Sequence, residues 1–317
     1  MSKWIKKGLV FVPNKSLIWS QSHAQVPVVD FLEQQNILKI YYSTRDKNNQ
    51  TLPGFVIVDA DNPSNILDVS KDPILSLGDL GTFDDSGVMP SWIINYKNKK
   101  YLYYIGWNVG NKISYHNSVG LAISENNGES FQKFSKGPLW DRNYTEPYFS
   151  GTTCVIIDNG IWKNWYLSCT GWKVVNGKPE PRYHIKYAES NDGIKWNREG
   201  YVAIDFKSEN EAGIVKASVV KEDGIYKMWY SYRNYTNYRT DKQNSYKIGY
   251  AESNNGMKWH RLDNSDLCIN TSDNETDWDS GMVEYPHIVD VKDKRLMFYN
   301  GNGFGDTGFG YAELKRH

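Results

Sequence analysis

The chain has 317 residues, 37 of them basic and 37 acidic, so its formal net charge is zero and no long-range field draws it to nucleic acid or an anionic membrane. It has no apolar run near the ~18 residues that a membrane-spanning helix needs. Its 15% aromatic content, with 12 Trp and 23 Tyr, suits a sheet-rich or sugar-binding protein.

The first segment, MSKWIKKGLVFVPNKS (1–16), has basic residues and only a short apolar patch at 9–12. It lacks the apolar core and small-residue cleavage site of a signal peptide. The three cysteines, Cys154, Cys169 and Cys268, are odd in number and unpatterned, so they read as small buried groups in a reducing compartment. A cytoplasmic protein is expected.

Beyond residue 20 the chain falls into five units of one plan. Each opens with a strand: HAQVPVVDFL (23–32), SGVMPSWIIN (86–95), GTTCVIIDNG (151–160), VKASVVKEDG (215–224) and VEYPHIVDVK (283–292). An aromatic strand follows: ILKIYYSTRD (37–46), KKYLYYIGWN (99–108), KNWYLSCTGW (163–172), IYKMWYSYRN (225–234) and KRLMFYNGNG (294–303). A third comes next: GFVIVD (54–59), VGLAIS (119–124), IKYAES (185–190), IGYAES (248–253) and FGYAEL (309–314). Alternation and β-branched or aromatic enrichment make these strands, and no amphipathic helix interrupts them.

Aligned at Pro27, Pro90, Thr153, Ala217 and Pro286, the units repeat with steps of 63, 63, 64 and 69 residues. Four antiparallel strands repeated five times predict an all-β chain, a single five-bladed β-propeller domain over 1–317. The expected blades are 20–80, 81–141, 142–206, 207–272, and 273–314 completed by 3–12. The last blade needs that completion because its unit stops after a third strand. Residues 3–12, KWIKKGLVFV, match 195–204, KWNREGYVAI, the fourth strand of the third unit. Pairing the two ends closes the ring and removes a sheet edge. The tips SENNGESF (124–131), SNDGIKW (190–196) and SNNGMKW (253–259) resemble the Asp-box hairpins of sialidases, with Asn and Gly supplying positive φ. They mark architecture rather than chemistry.

In a propeller, ligands bind at the channel mouth, where first strands begin and second and third strands join. Acids precede four of the five first strands: Asp84 and Asp85, Glu146, Glu209 and Glu211, and Asp279 with Glu284. A lone Asp in a loop is most often a turn residue; acids repeated at one position point to a shared axis. The joins add Arg45, then Trp107, Tyr115 and His116, then Trp172, Arg182, Tyr183 and His184, then Arg233 and Arg239. Indole faces stack on sugar C–H surfaces, and guanidinium grips carboxylate or phosphate with two prongs. His23, His116 and His184 have no local metal-motif spacing, so they are read as hydrogen-bonding groups and no metal is expected. GNGFGDTG (301–308) is a strand-to-strand loop, and neither a P-loop nor G-x-S-x-G occurs, so no cofactor is expected.

Five units of about 63 residues with acids at the channel mouth resemble the five-bladed propeller glycoside hydrolases. These are the arabinanase and xylosidase families (43 and 62), the invertase-like families (32 and 68) and the mannoside phosphorylases (130). The phrase YAES-x-(D/N)-G-x-x-W is most similar to propeller proteins of that superfamily found among bacterial surface-polysaccharide genes. The resemblance covers essentially the whole chain. It implies cleavage of a glycosidic bond by two carboxyl groups, whose separation of about 5 Å or about 6.5–9.5 Å decides retention or inversion. The family pattern places an Asp beside the first-blade Pro; here Val26 precedes Pro27. Where hydrolases carry a fourth-blade Glu, Lys216 stands near that register and Glu211 lies earlier. The expected catalytic pair is therefore Asp85 and Glu211, with Glu146 as substitute for either. The expected substrate-binding residues are His23, Arg45, Trp107, His116, Trp172, Arg182, His184, Lys216 and Arg233. The cations among them suggest an anionic sugar, a sugar phosphate or a nucleotide sugar. The absent first-blade Asp leaves open a phosphorylase or glycosyltransferase, and a third reading is a non-catalytic propeller binding a glycan or a protein.

Overall fold

The computed structural model describes residues 2–13 and 15–315. The strands in chain order are β1 (Lys3–Phe11); β2 (Ser22–Leu32), β3 (Ile37–Arg45), β4 (Thr51–Asp59) and β5 (Ile66–Val69); β6 (Gly87–Tyr96), β7 (Lys99–Val109), β8 (Tyr115–Ser124) and β9 (Gln132–Lys133). They continue as β10 (Ser150–Asp158), β11 (Ile161–Val175), β12 (Lys178–Ser190) and β13 (Asn197–Ile204); β14 (Glu211–Glu222), β15 (Ile225–Asn234), β16 (Lys247–Ser253) and β17 (His260–Arg261); and β18 (Glu284–Val291), β19 (Lys294–Asn300) and β20 (Phe309–Lys315). The described residues are thus all-β apart from two single turns, 33–35 and 302–305.

Within each of four groups, consecutive strands pair antiparallel: β2 to β5, β6 to β9, β10 to β13 and β14 to β17. In the fifth group β18, β19 and β20 pair in order, and β1 pairs antiparallel with β20, Lys3 opposite Lys315 and Phe11 opposite Phe309. The first strands stand side by side: β2 contacts β6, β6 contacts β10, β10 contacts β14, β14 contacts β18, and β18 contacts β2. Being buried on both faces, they read as apolar runs rather than clean alternation; residues 24–30 of β2 are all buried.

Three recurring devices hold the groups. First, each Ser-x-Asn/Asp-Gly tip is closed by its serine: Ser124, Ser190 and Ser253 Oγ accept the amides of Gly128, Gly193 and Gly256 at 2.8, 3.0 and 2.9 Å. The tip carbonyl is then bolted to the preceding group, by Lys39 to Gly128, Tyr103 to Gly193 and Trp165 to Gly256. Second, a buried acid ahead of a first strand, or in the fourth group at its first residue, is tied to a fourth-strand cation. Lys133 reaches Asp84 at 2.6 Å, Arg198 reaches Glu146 at 2.7 Å, Arg261 reaches Glu211 at 2.7 Å, and Lys6 reaches Asp279 at 2.7 Å. Tyr104, Tyr166 and Tyr299 donate to the acids of their own groups at 3.0, 2.9 and 2.9 Å.

Third, inner strands bulge through left-handed residues: Val26 (φ 53°), Lys216 (φ 55°) and Tyr285 (φ 55°). Such backbone costs about 1–3 kcal/mol per residue and persists only where surroundings over-determine it. Here the neighbouring group does so. The amides donate to Asn300 Oδ1 at 2.8 Å, Thr152 Oγ1 at 3.0 Å and Ser231 Oγ at 2.7 Å. The second group bulges instead between Pro90 and Trp92. Trp92 faces Tyr103 as Val28 faces Tyr41 and His287 faces Phe298, so Pro90 is one place off the register of Pro27. Trp92 reaches between the first strands to His287, ring centroids 4.5 Å apart, and Lys216 Nζ lies 4.7 Å from its ring centroid.

Candidate functional site

A cavity of 390 Å³ opens where the first strands begin and the second and third strands join. Its walls are aromatic. Phe149 packs at 5.5 Å from Tyr115 and 5.6 Å from Trp172, and Tyr246 lies 6.0 Å from Tyr285 and 6.3 Å from Phe304. Phe304 is held at φ 61°, a left-handed conformation that is rare for a bulky side chain. The sequence repeat places the lining. Asn117, Tyr183 and Tyr246 each stand two residues before the third-strand phrase, and Arg45, Trp107 and Arg233 share one position near the second-strand ends.

The cavity is electrostatically lopsided. Arg45, Arg233 and Arg239 line it, and Glu180 is the only acid among its lining residues. Glu180 is already engaged: it accepts from Tyr238 Oη at 2.8 Å and pairs with Arg239. Arg233 is 2% exposed. It donates to the carbonyls of Pro181 (3.2 Å) and Asn234 (2.9 Å) and to Tyr246 Oη (3.2 Å), and it lies 3.8 Å over the ring of Tyr238. Arg45 Nε donates to Gln25 Oε1 at 3.3 Å. Neither guanidinium forms an ion pair with a carboxylate among the described residues.

Glu284 begins β18 opposite Asn300, as Gln25 stands opposite Ser43 and Val215 opposite Ser231. Gln25 and Val215 line the cavity; Glu284 lies at the same level, fully buried, with both oxygens lacking a hydrogen-bond partner. Burial pushes its pKa well above the ordinary carboxylate value, against the pull of Tyr285, Arg233 and Arg45.

Of the residues expected from sequence, Arg45, Trp107, Trp172 and Arg233 converge on this cavity. The acids Asp85, Glu146 and Glu211 are not among its lining residues. Asp85 accepts the amide of Gly81 and the hydroxyl of Ser86, both at 2.9 Å. Glu146, 2% exposed, takes Tyr166, Ser168, Arg198 and Lys186. Glu211 takes both prongs of Arg261 and the amide of Lys207. Glu146 and Glu211 hold the position of the strand clip, which is why acids recur there; in the second group Asp84 holds it and Asp85 stands one residue beyond.

His23, His116, Arg182, His184 and Lys216 also fall outside the lining. His23 Nδ1 meets Ser22 Oγ at 2.8 Å, and burial, with Arg45, pushes its pKa down to about 4. His116 and His184 meet Asp141 and Asp205, each at 3.0 Å. Arg182 holds the carbonyls of Glu211 and Ser208 over the Phe206 ring. Lys216 is wholly buried, and burial pushes its amine down to about 7. Sequence reasoning missed Glu180, Tyr238, Tyr246 and Phe304 in the lining. A signal for Tyr246 was present in its register with Tyr183. Nothing local marks Tyr238 or Phe304, which come from loops.

No protein-family model matches the chain. Two relatives in Mycobacterium tuberculosis match it nearly end to end. They are uncharacterized protein MT1551 (strain CDC 1551 / Oshkosh) and uncharacterized protein Rv1502 (strain ATCC 25618 / H37Rv), each 37% identical over 312 residues, covering 98% of this chain and 99% of the relative. Among solved structures, a glycoside hydrolase is 17% identical with a TM-score of 0.73, covering 99% of this chain and 92% of that one. A thermostable family-43 glycoside hydrolase is 17% identical with a TM-score of 0.67, covering 95% and 90%. A structure from the GH130 family of mannoside phosphorylases, which contains glycoside hydrolases that target β-1,2 mannosidic linkages in Candida mannan, is 16% identical with a TM-score of 0.70, covering 99% and 93%. At such identities the likeness shows the fold, a β-propeller.

Proposed function

The chain belongs to the family of uncharacterized protein Rv1502 of Mycobacterium tuberculosis, and from that premise we propose an enzyme that cleaves or transfers a glycosidic bond on a sugar bearing an anionic group. In this reading the five strand groups are the blades of one five-bladed propeller over residues 1–317, with β1 completing the last. The supporting observation is the pair Arg45 and Arg233, set in an aromatic-walled cavity without a carboxylate partner. Arg233, the buried member of the pair, carries a charge whose burial without a counter-charge costs several kcal/mol, and an anionic ligand would offset that cost. The aromatic walls suit sugar faces, and 390 Å³ admits a small saccharide. Glycoside hydrolases and a family of mannoside phosphorylases share the fold. Asp85, Glu146 and Glu211 are read as structural here, each held by groups away from the cavity.

A second reading, a phosphorylase or transferase, is favoured by one observation. The floor position beside Pro27 is Val26, and the only acid lining the cavity, Glu180, is tied to Arg239 and Tyr238. With no free carboxylate in the lining, phosphate or an acceptor hydroxyl would serve as nucleophile.

The test is isothermal titration and turnover with uronic-acid glycosides, sugar phosphates, nucleotide sugars and neutral glycosides, with and without phosphate, for wild type, Arg233→Met and Arg45→Met. Preference for the anionic ligands, lost in both variants, supports the proposal. Equal binding of neutral and anionic sugars overturns the anionic substrate. Binding without turnover makes the protein a glycan-binding propeller, and phosphate-dependent turnover selects the phosphorylase.

A further inference from the structure

We infer that the anionic sugar of the first cavity is one unit of an oligosaccharide, and that a second cavity beside it takes the neighbouring unit, a neutral, hydroxyl-rich sugar. The inference rests on the anionic-sugar reading above and names its substrate class. The second cavity has a volume of 300 Å³ and shares a wall with the first, because Tyr238 and Arg239 line both. Consecutive residues divide across that wall: Tyr246 and Phe304 line the first cavity, Ser245 and Gly303 the second. Within the wall the Tyr238 ring lies 3.8 Å from the guanidinium carbon of Arg233 and 4.3 Å from that of Arg239. The Arg239 side chain is 53% exposed, so the wall is open to solvent along it.

The sides of the second cavity are held in place. Asn302 Oδ1 accepts the amides of Gly281 and Met282 at 2.7 and 3.1 Å. Asp241 accepts the amide of Gln243 at 2.9 Å and Asn244 Nδ2 at 2.7 Å, which fixes the loop that carries Tyr238 and Arg239. Its chemistry differs from that of the first cavity. Arg239 and Lys242 stand there with Asp241 and Glu275, so donors and acceptors are mixed. A second anion would meet those carboxylates, whereas sugar hydroxyls donate and accept at once and suit both kinds of group. Ser245 is 4% exposed, and its hydroxyl has no hydrogen-bond partner. A hydroxyl left unpaired at that depth is costly, and a ligand hydroxyl would pair it.

The test compares methyl uronides with disaccharides in which the same uronic acid is joined to a neutral hexose, through each hexose hydroxyl and in either order. Affinity is read as Kd by titration, or as KM where the compound turns over, for wild type, Ser245→Ala and Thr240→Trp. Thr240 lines the second cavity from an exposed position, so the larger side chain fills the cavity without entering the core. Wild type should bind at least one disaccharide about tenfold more tightly than its methyl uronide, the worth of one or two hydrogen bonds. That ratio should fall about threefold to tenfold in Ser245→Ala and to about one in Thr240→Trp. Circular dichroism and thermal melting check that the variants fold. Uronide binding with no disaccharide bound more tightly, or a ratio unchanged in both variants, overturns the second cavity as a sugar site and leaves the anionic-sugar reading intact. A wild type that binds uronides no better than neutral methyl hexosides overturns both.

Discussion

Glu284 and Lys216 are ionisable groups buried without hydrogen-bond partners, one an acid and one a base, and burial moves their pKa values in opposite directions. Each is therefore driven towards its neutral form. For Lys216 the ordinary value is 10.5 and the folded value about 7, so between those pH values the unfolded chain binds a proton that the folded one does not. Stability from this group is present above 10.5 and is lost as pH falls towards 7. Lys216→Met should raise the melting temperature at pH 7 and flatten the rise of wild-type stability between pH 7 and 10; each tenfold difference in proton affinity between the folded and unfolded chain corresponds to about 1.4 kcal/mol. Its Trp92 contact works against this, since cation–π attraction reaches about 2 kcal/mol when desolvated. A variant that melts lower at pH 7 would mean that Lys216 is charged in the native state.

Glu284 has the reverse sign. Its folded pKa lies well above the ordinary 4.5, so its contribution is complete below that value and falls as pH rises. Glu284→Gln should therefore gain melting temperature relative to wild type as pH is raised from 4 to 9. A constant difference across that range would show a carboxylate ionised in the fold.

At the scale of elements, the clip between a pre-strand acid and a fourth-strand cation decides how the edge of each sheet is held. Lys6 and Asp279 form such a clip, Asp279 with a side chain 2% exposed. Lys7, the next residue of β1, pairs with Glu313 of β20, their side chains exposed by 38% and 31%. Lys6→Met should cost about 3–5 kcal/mol because it leaves a buried carboxylate without its cation. Lys7→Met should cost under about 1 kcal/mol. Urea unfolding of both variants measures the contrast, and similar losses would refute the structural reading of the acids.

The same clip explains what the sequence could and could not tell. Strands were legible because period-two patterning is imposed by the sheet itself, and the Ser-x-Asn/Asp-Gly tips mark three of the five units. The acids were legible as a repeat, but a repeat is also what a structural fastening produces: Glu146 and Glu211 stand at the position that holds strands, and Asp85 stands one residue past the Asp84 that does so. Arg45, Trp107, Trp172 and Arg233 meet at one cavity because their place towards the second-strand ends follows from the strand pattern. The bulges escaped notice because Val26, Lys216 and Tyr285 take positive φ without glycine, held by side chains of the neighbouring group. One such irregularity put Pro90 a place out of register. Phe304 and Tyr238 come from loops, where no periodicity fixes direction.

At the scale of the molecule, β1 does more than cover one edge. Trp4 stands 5.7 Å from Trp229 of the fourth group and donates to Leu267 O at 3.0 Å, and Phe11 lies 4.9 Å from Tyr42 of the first. A segment of nine residues thus touches the fourth, fifth and first groups. Deleting residues 1–12 removes those contacts and leaves β20 as an open edge, a template for pairing with another chain. The truncated chain should melt well below the full one and self-associate in size-exclusion chromatography. A synthetic peptide of residues 1–14, added in excess, should restore much of the melting temperature, because it binds only the folded acceptor edge and stabilises it by mass action. Peptides carrying Trp4→Ala or Lys6→Met should restore less, since each lacks one fixed contact of the strand. A truncated chain that melts like the full one and stays monomeric would make β1 a dispensable tail, and the five groups would then hold together through the contacts of their first strands alone.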